Sequence, residues 1–223
     1  MLAVQVGQPN NTMTAFFQLL HTQRMDDHRF YHQSRINQSL HFVSAISFLV
    51  SYVFLFLDPA WAALIAWGFS MPSRQAGHFF FEPKGFDHVN QATHEHKEEI
   101  KVGYNLEKKL VLMGLWAALP VMLYFNRSFF GLFAANATWE NYFHSLGVLW
   151  LWLGIAGVAF RMTQLFALQG VMDGVAWVTK IITDPFHDIM LYWRSPLHLM
   201  RGQLIDPMDH IRGAHGTGTS SPA

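Results

Sequence analysis

Residues 40–57 read LHFVSAISFLVSYVFLFL and stop at Asp58-Pro59. No Asp, Glu, Lys or Arg interrupts the run. Crossing a bilayer takes about 20 mostly apolar residues, with a working range of about 17–25. Only a helix can satisfy the backbone of an isolated segment in hydrocarbon. The run therefore predicts a transmembrane helix with His41 near its start.

The surrounding sequence repeats the pattern. A second run starts at Ala60 (AWAALIAWGFSM), meets Pro72 and continues through SRQAGHFFF to Glu82. It reaches spanning length only by carrying Arg74 and His78 at its far end. Polar groups at membrane depth usually mark a function or a path to water. Residues 83–109 form a polar, charge-rich loop. Leu110–Phe125 is a third run, containing Pro120, and residues 126–142 form a short loop with Arg127. Phe143–Phe160 is a fourth run, followed by Arg161. From Gln164 to Trp193 the pattern is amphipathic, broken by Asp173, Lys180, Asp184 and Asp188, as in an interfacial helix or a partly buried fifth helix.

The expected fold is all-α: a multi-pass transmembrane bundle of about four spans plus an amphipathic C-terminal helix. Residues 1–39 would be a cytoplasmic N-terminal segment with a short amphipathic piece at Phe16–Leu20. Residues 40–205 would form the membrane domain and 206–223 a flexible tail. Met1–Asn11 lacks a basic start and an apolar core of the signal-peptide kind, so the first span is expected to act as an uncleaved anchor.

Composition agrees. Only 13% of the 223 residues are charged, against 51% hydrophobic, whereas a soluble domain carries about 25% charged residues. Zero net charge gives no sign of a nucleic-acid partner. The absence of cysteine excludes disulfides, thiolate metal sites and cysteine nucleophiles. Lys and Arg concentrate before the first span (Arg24, Arg29, Arg35), in the 83–109 loop, and after residue 180 (Lys180, Arg194, Arg201, Arg212). By the positive-inside rule this places both termini in the cytoplasm of a bacterial inner membrane or endoplasmic-reticulum protein. Several of the 13 histidines then gather near one membrane face, and histidine is the commonest metal ligand.

Two stretches stand out. In Tyr31-His32 through Asn37 to His41, the two histidines would face opposite sides of one straight helix at about 3.6 residues per turn. They can share a metal only if the chain breaks between them, and Ser34 or Asn37 could cap such a break. In Gly77-His78-Phe79-Phe80-Phe81-Glu82, the histidine and glutamate at i and i+4 share a helical face. They could bind a metal together, or the carboxylate could orient the imidazole. Both stretches also admit bland readings: two interfacial histidines, and a buried His–Glu hydrogen bond. His94 and His96 lie in a charged loop where a solvated face is the default, and His187 in Asp184-Pro185-Phe186-His187-Asp188 is a lone histidine at a helix start. P-loop, G-x-S-x-G and H-E-x-x-H motifs are absent, as are the clustered histidine boxes of membrane hydroxylases and desaturases.

Taken together, Y-H-x4-N-x3-H (Tyr31, His32, Asn37, His41) followed by G-H-x-x-F-E (Gly77, His78, Phe81, Glu82) resembles the 2-hydroxy fatty acid dioxygenase family of small multi-pass membrane proteins. The resemblance covers roughly residues 28–84, with a faint echo at 184–193. It departs where Arg35 and Ile36 replace a usual proline and where Pro83-Lys84-Gly85-Phe86 replaces a basic R-P-A stretch. The resemblance implies an iron(II)-dependent dioxygenase that shortens a 2-hydroxy fatty acid by one carbon with O₂. It implies His32, His41 and His78 as ligands and Glu82 as a catalytic, ligating or supporting carboxylate; His94, His96 and His187, read from their own surroundings, are further candidates to complete the shell. Arg35, Arg74 and Asn37, close to the motifs, are expected to bind the substrate's polar end. Two other classes remain: a non-catalytic membrane subunit or assembly factor, and a haem protein using His41 and His144.

Overall fold

The computed structural model describes residues 12–88, 90–104, 106–135 and 137–209. These residues are helical with no strands; the only β pairing among them is two isolated bridges, Ser34 with Ile205 and Asp87 with Ala92. The order is α1 (Thr12–Tyr31), α2 (Arg35–Leu55), α3 (Pro59–Ile65), a π turn (Ala66–Ser70), α4 (Met71–Ala76), a second π turn (Gly77–Phe81), α5 (His94–Ile100), α6 (Leu106–Phe125), α7 (Trp139–Leu168), α8 (Val171–Tyr192) and α9 (Ser195–Met200).

Three helices are long and apolar enough to cross a membrane: Arg35–Leu55, Glu107–Phe125 and Trp139–Leu168. The stretch expected to be the second span is instead pieced together from α3, α4 and the two π turns. Local chemistry explains its shape. Asp58 caps it, its carboxylate accepting from the amides of Ala60 at 2.9 Å and Trp61 at 3.3 Å, with Pro59 in the first turn. The first π turn closes just before Pro72, which has no N–H to donate and whose ring crowds the carbonyl four residues back.

α7 lies along α3 closely enough that a Cβ on Gly147 would sit 2.2 Å from the Ala60 carbonyl oxygen. Only glycine permits that approach. Ala63, Trp67, Leu123, Leu146, Leu149 and Trp150 form the core at this junction. Trp116 stacks on Trp150, and the Trp150 indole donates to the Trp116 carbonyl at 3.1 Å. α6 packs on α7 but leaves Leu110, Val111, Leu115, Val121 and Met122 exposed. An apolar surface of that extent marks a lipid or protein contact.

The N-terminal segment departs from expectation. The short piece at Phe16–Leu20 is part of the 20-residue α1, which packs against α8. α8 begins at Val171 because Gly170 turns the chain with φ of 114°. Its polarity is inverted relative to an interfacial helix: Lys180, Asp184, Asp188 and Tyr192 are buried, while Val175, Ile182, Phe186 and Met190 are exposed. α8 is therefore a partly buried helix rather than an interfacial one, with Lys180, Asp184 and Asp188 turned inward. At the C-terminal end, the Arg35 amide donates to Leu204 at 2.9 Å and the Asp206 amide to Gln33 at 2.8 Å. The buried Asp206 carboxylate pairs with Arg35 at 3.0 Å and accepts from Gln38 at 2.9 Å. The expected tail is thus fastened at its first residue, and residues 210–223 lie outside the described residues.

Candidate metal centre

The chain breaks where a shared site requires it. α1 ends at Tyr31, and Ser34, extended at φ −76° and ψ 127°, caps α2 by accepting from the Asn37 amide. This break turns His32 and His41 toward each other, with ring centroids 4.0 Å apart. The second π turn brings His78 beside them, 5.2 Å from the His32 ring and 5.0 Å from the His41 ring. π turns recur at functional sites because they re-aim side chains within a helix. This one is held by contact: a Cβ on Gly77 would meet Asn37 Oδ1 at 2.0 Å. Asn37 is fully buried, its amide donating to the Tyr31 carbonyl at 2.8 Å.

His32, His41 and His78 each offer one ring nitrogen, all within 4.8 Å of one another, and can hold a metal ion. Every outer nitrogen is engaged. His78 Nδ1 donates to Glu82 Oε2 at 2.8 Å. His41 Nδ1 faces Asp188 Oδ2 at 3.4 Å. His32 Nδ1 lies 2.7 Å from the Tyr192 hydroxyl, which also meets His28 Nδ1 at 2.8 Å. Carboxylates behind ligating imidazoles fix their tautomer and leave Nε2 as the lone-pair donor; the Tyr192 hydroxyl does the same for His32 where it accepts from His32 Nδ1–H and donates to His28 Nδ1. His32 Nε2 is buried with no hydrogen-bond partner.

His41 Nε2 and His78 Nε2 are 3.2 Å apart. With both Nδ1 atoms protonated toward carboxylates, two lone pairs face each other, and a cation between them removes the repulsion. Metal–imidazole bonds of about 2.0–2.1 Å meeting at about 90–110° separate neighbouring nitrogens by about 2.8–3.4 Å, so the observed spacing fits. Burial, aided by His41 and Arg74, pushes the His32 imidazole well below its ordinary range, which keeps it neutral and able to ligate.

A charged network surrounds the histidines. Asp188 accepts from Arg74 at 3.1 Å, and Arg74 lies 3.5 Å from Asp184. Lys180 bridges Asp184 at 2.6 Å and Asp27 at 2.7 Å. Burial alone would raise the Asp27 carboxyl, but Lys180 above all, with Arg74, holds it well below the usual carboxylate range. Beside His78 opens a cavity of about 290 Å³, its lining including Arg74, Lys109 and Lys180, the carboxylates of Asp27 and Asp184, and the apolar Phe48, Leu112 and Trp177.

The other expected site residues are distributed as follows. Glu82 stands behind His78, outside the three-nitrogen group. Arg74 lines the cavity but is tied to Asp184 and Asp188. Arg35 is paired with Asp206, and Asn37 braces the second π turn. His96 is exposed. His94 lines a small pocket with His78 and Glu82, and His187 another with His28 and His32, each with one unpartnered buried nitrogen. Neither joins the three-histidine group. His144 pairs with Asp58 at 3.4 Å. Asp58 closes the opposite end of α2 from His41, so those two histidines cannot share a haem.

The sequence reading missed Asp27, His28, Asp188 and Tyr192 as members of the site. Lys180, Asp184, Asp188 and Tyr192 recur every four residues, a spacing that puts them on one helical face. The pattern was visible as interruptions of an apolar stretch, but nothing said that its charged side faces inward. No family model matches the chain, and neither does any curated protein or solved structure.

Proposed function

We propose that this chain is a membrane-bound, iron(II)-dependent oxygenase that shortens 2-hydroxy fatty acids or related lipids with O₂. The observation that carries the reading is the convergence of three imidazole nitrogens, from buried His32 and His41 and half-buried His78, each backed by Glu82, Asp188 or Tyr192. Imidazole donors serve iron, zinc, copper and nickel alike; iron and the substrate class enter through the motif resemblance. Three protein ligands leave coordination positions open, as catalytic rather than structural sites do. Bound iron would supply the centre at which O₂ and the 2-hydroxy acid react. The protein's part is to keep the imidazoles neutral and oriented, to exclude bulk water by burial, and to hold an amphiphile in the adjoining cavity.

The proposed topology has four crossings, with the α3–α4 segment as the second and both termini cytoplasmic. It is supported by the meeting of the start of α2, the second π turn, the start of α6 and the end of α7 at one end of the bundle. There Arg161 of α7 donates to the Val102 carbonyl at 3.0 Å. The site then lies at the cytoplasmic membrane surface, where an acyl chain can stay in lipid while its polar end reaches the histidines.

The test is O₂ uptake by anaerobically iron-loaded protein on addition of a 2-hydroxy fatty acid, with the product one carbon shorter. His78→Ala should abolish it. An iron-loaded wild type that consumes no O₂ with 2-hydroxy acids of any chain length would remove the reaction while leaving the metal site. That result would favour a non-catalytic membrane subunit, for which the exposed apolar side of α6 is the supporting feature.

A further inference from the structure

Lys109 is the cavity cation that the charged network does not absorb. Lys180 is held by Asp27 and Asp184, Arg74 by Asp184 and Asp188, and Lys101 by Glu98 at 2.8 Å. Among the described residues, Lys109 has no ion pair or hydrogen bond. It lies in the first turn of α6, where a lysine ordinarily snorkels to the bilayer surface. Here it lines both the large cavity and the small pocket beside Glu82, and His78 borders the same two spaces. One turn further along α6, Leu112 continues the cavity wall, joined by Phe48, Met71, Trp177 and Ile181. Lys109 thus stands next to a candidate metal ligand in a cavity whose wall also carries apolar side chains.

We propose that Lys109 is the specificity-determining group of this cavity, binding the free carboxylate of an acyl-chain ligand whose tail lies along Leu112, Trp177 and Phe48. An ammonium left without a partner in a low-dielectric site gains most from an anion that enters with the ligand. The charge to be matched is single. A phosphate monoester brings a charge of about −1.5 to −2 into a cavity already bordered by Asp27, Asp184 and, across the small pocket, Glu82 and Glu98. A carboxylate brings one. The ligand is therefore a free fatty acid rather than a neutral ester-linked chain or an alkyl phosphate monoester. This deepens the oxygenase reading by naming what selects its substrate, and it rests on that reading only for the reaction.

The test is anaerobic equilibrium dialysis of the detergent-solubilised protein, so that no turnover occurs. The probes are radiolabelled 2-hydroxyhexadecanoate, its methyl ester and hexadecyl phosphate, with wild type, Lys109→Gln and Lys109→Arg compared. Loss of a hydrogen bond to a charged partner predicts that Lys109→Gln binds the acid about 10- to 100-fold more weakly. Lys109→Arg should retain most of the affinity. The ester should bind weakly and equally to wild type and Lys109→Gln, which also shows that the variant cavity is folded. Equal acid binding by wild type and Lys109→Gln, or no acid binding by wild type, overturns the assignment. Tighter Lys109-dependent binding of the alkyl phosphate overturns the choice of carboxylate. Lys109-dependent acid binding in a protein that shows no O₂-dependent turnover supports the anchor and defeats the oxygenase reading alone.

Discussion

Gly77→Ala tests how the site is built, because two effects of opposite sign compete there. Gly77 begins the second π turn with α-helical backbone angles flanking it. At a helical position with free space, alanine is favoured over glycine by about 0.8–1 kcal/mol. The added methyl would instead meet Asn37 Oδ1 at 2.0 Å and Cγ at 3.1 Å. Asn37 cannot swing aside cheaply, since its amide holds the Tyr31 carbonyl at 2.8 Å and the residue has no exposed surface. Overpacking of this kind costs about 1–3 kcal/mol. The expected net effect is therefore destabilisation of up to about 2 kcal/mol, with displacement of the turn that carries His78. Asn37→Ala removes the obstacle at the cost of its own hydrogen bond, about 1 kcal/mol. The double variant should be more stable than the sum of the two singles by the overpacking term, about 1–3 kcal/mol. Denaturant unfolding in mixed micelles gives the stabilities, and metal titration of the same samples reports on His78. A Gly77→Ala protein more stable than wild type, or additive energies in the double variant, would refute the close approach of α2 to the π turn.

Further outcomes follow from the same geometry. Asp188→Asn and Glu82→Gln should each weaken metal affinity about 10- to 100-fold, measured by competition with a chelator, because each removes a carboxylate behind a ligand. Tyr192→Phe takes a hydroxyl from both His28 and His32 and should weaken metal binding while far-ultraviolet dichroism stays unchanged. Lys180→Met takes the shared cation from buried Asp184 and half-buried Asp27; with Arg74 still facing Asp184, it should cost about 3 kcal/mol in unfolding free energy, the low end for a broken buried pair. Asp27's carboxyl lies below its ordinary value of 3.8, so the unfolded chain binds the proton more readily than the folded one. Its contribution to stability is present above about pH 4 and is lost as pH falls further. Unfolding measured between pH 5 and pH 3 should therefore steepen for wild type relative to Asp27→Asn.

Much of this arrangement was legible in the sequence, for identifiable reasons. The run at 40–57 is apolar without a break, so its helix was plain; it begins earlier, at Arg35, because Ser34 caps it. The nine-residue gap between His32 and His41 demanded a break, and the capping residue sat inside it. The second run was less legible. Its composition reads as one span, but Pro72 and the contact of Gly77 with Asn37 divide it into α and π segments. A π turn has no sequence signature of its own, since it depends on tertiary contact. Arg35 looked like a substrate ligand by proximity to the motif, whereas its partner Asp206 lies far along the chain. α8 was the hardest to read. Periodicity shows that Lys180, Asp184, Asp188 and Tyr192 share a face, but in a membrane protein the polar face can point either to water or to a charged interior. Only the packing of α1 and α2 against it fixes the direction.

The central claim is that His32, His41 and His78 hold one metal through their Nε2 atoms. X-ray absorption at the metal edge on anaerobically purified, iron-reconstituted protein tests it most directly. The account predicts one transition metal per chain, three nitrogen neighbours at about 2.0–2.2 Å, and loss of both in His78→Ala. A wild-type protein that carries no transition metal after reconstitution, or one whose metal survives His78→Ala with unchanged neighbours, would contradict it.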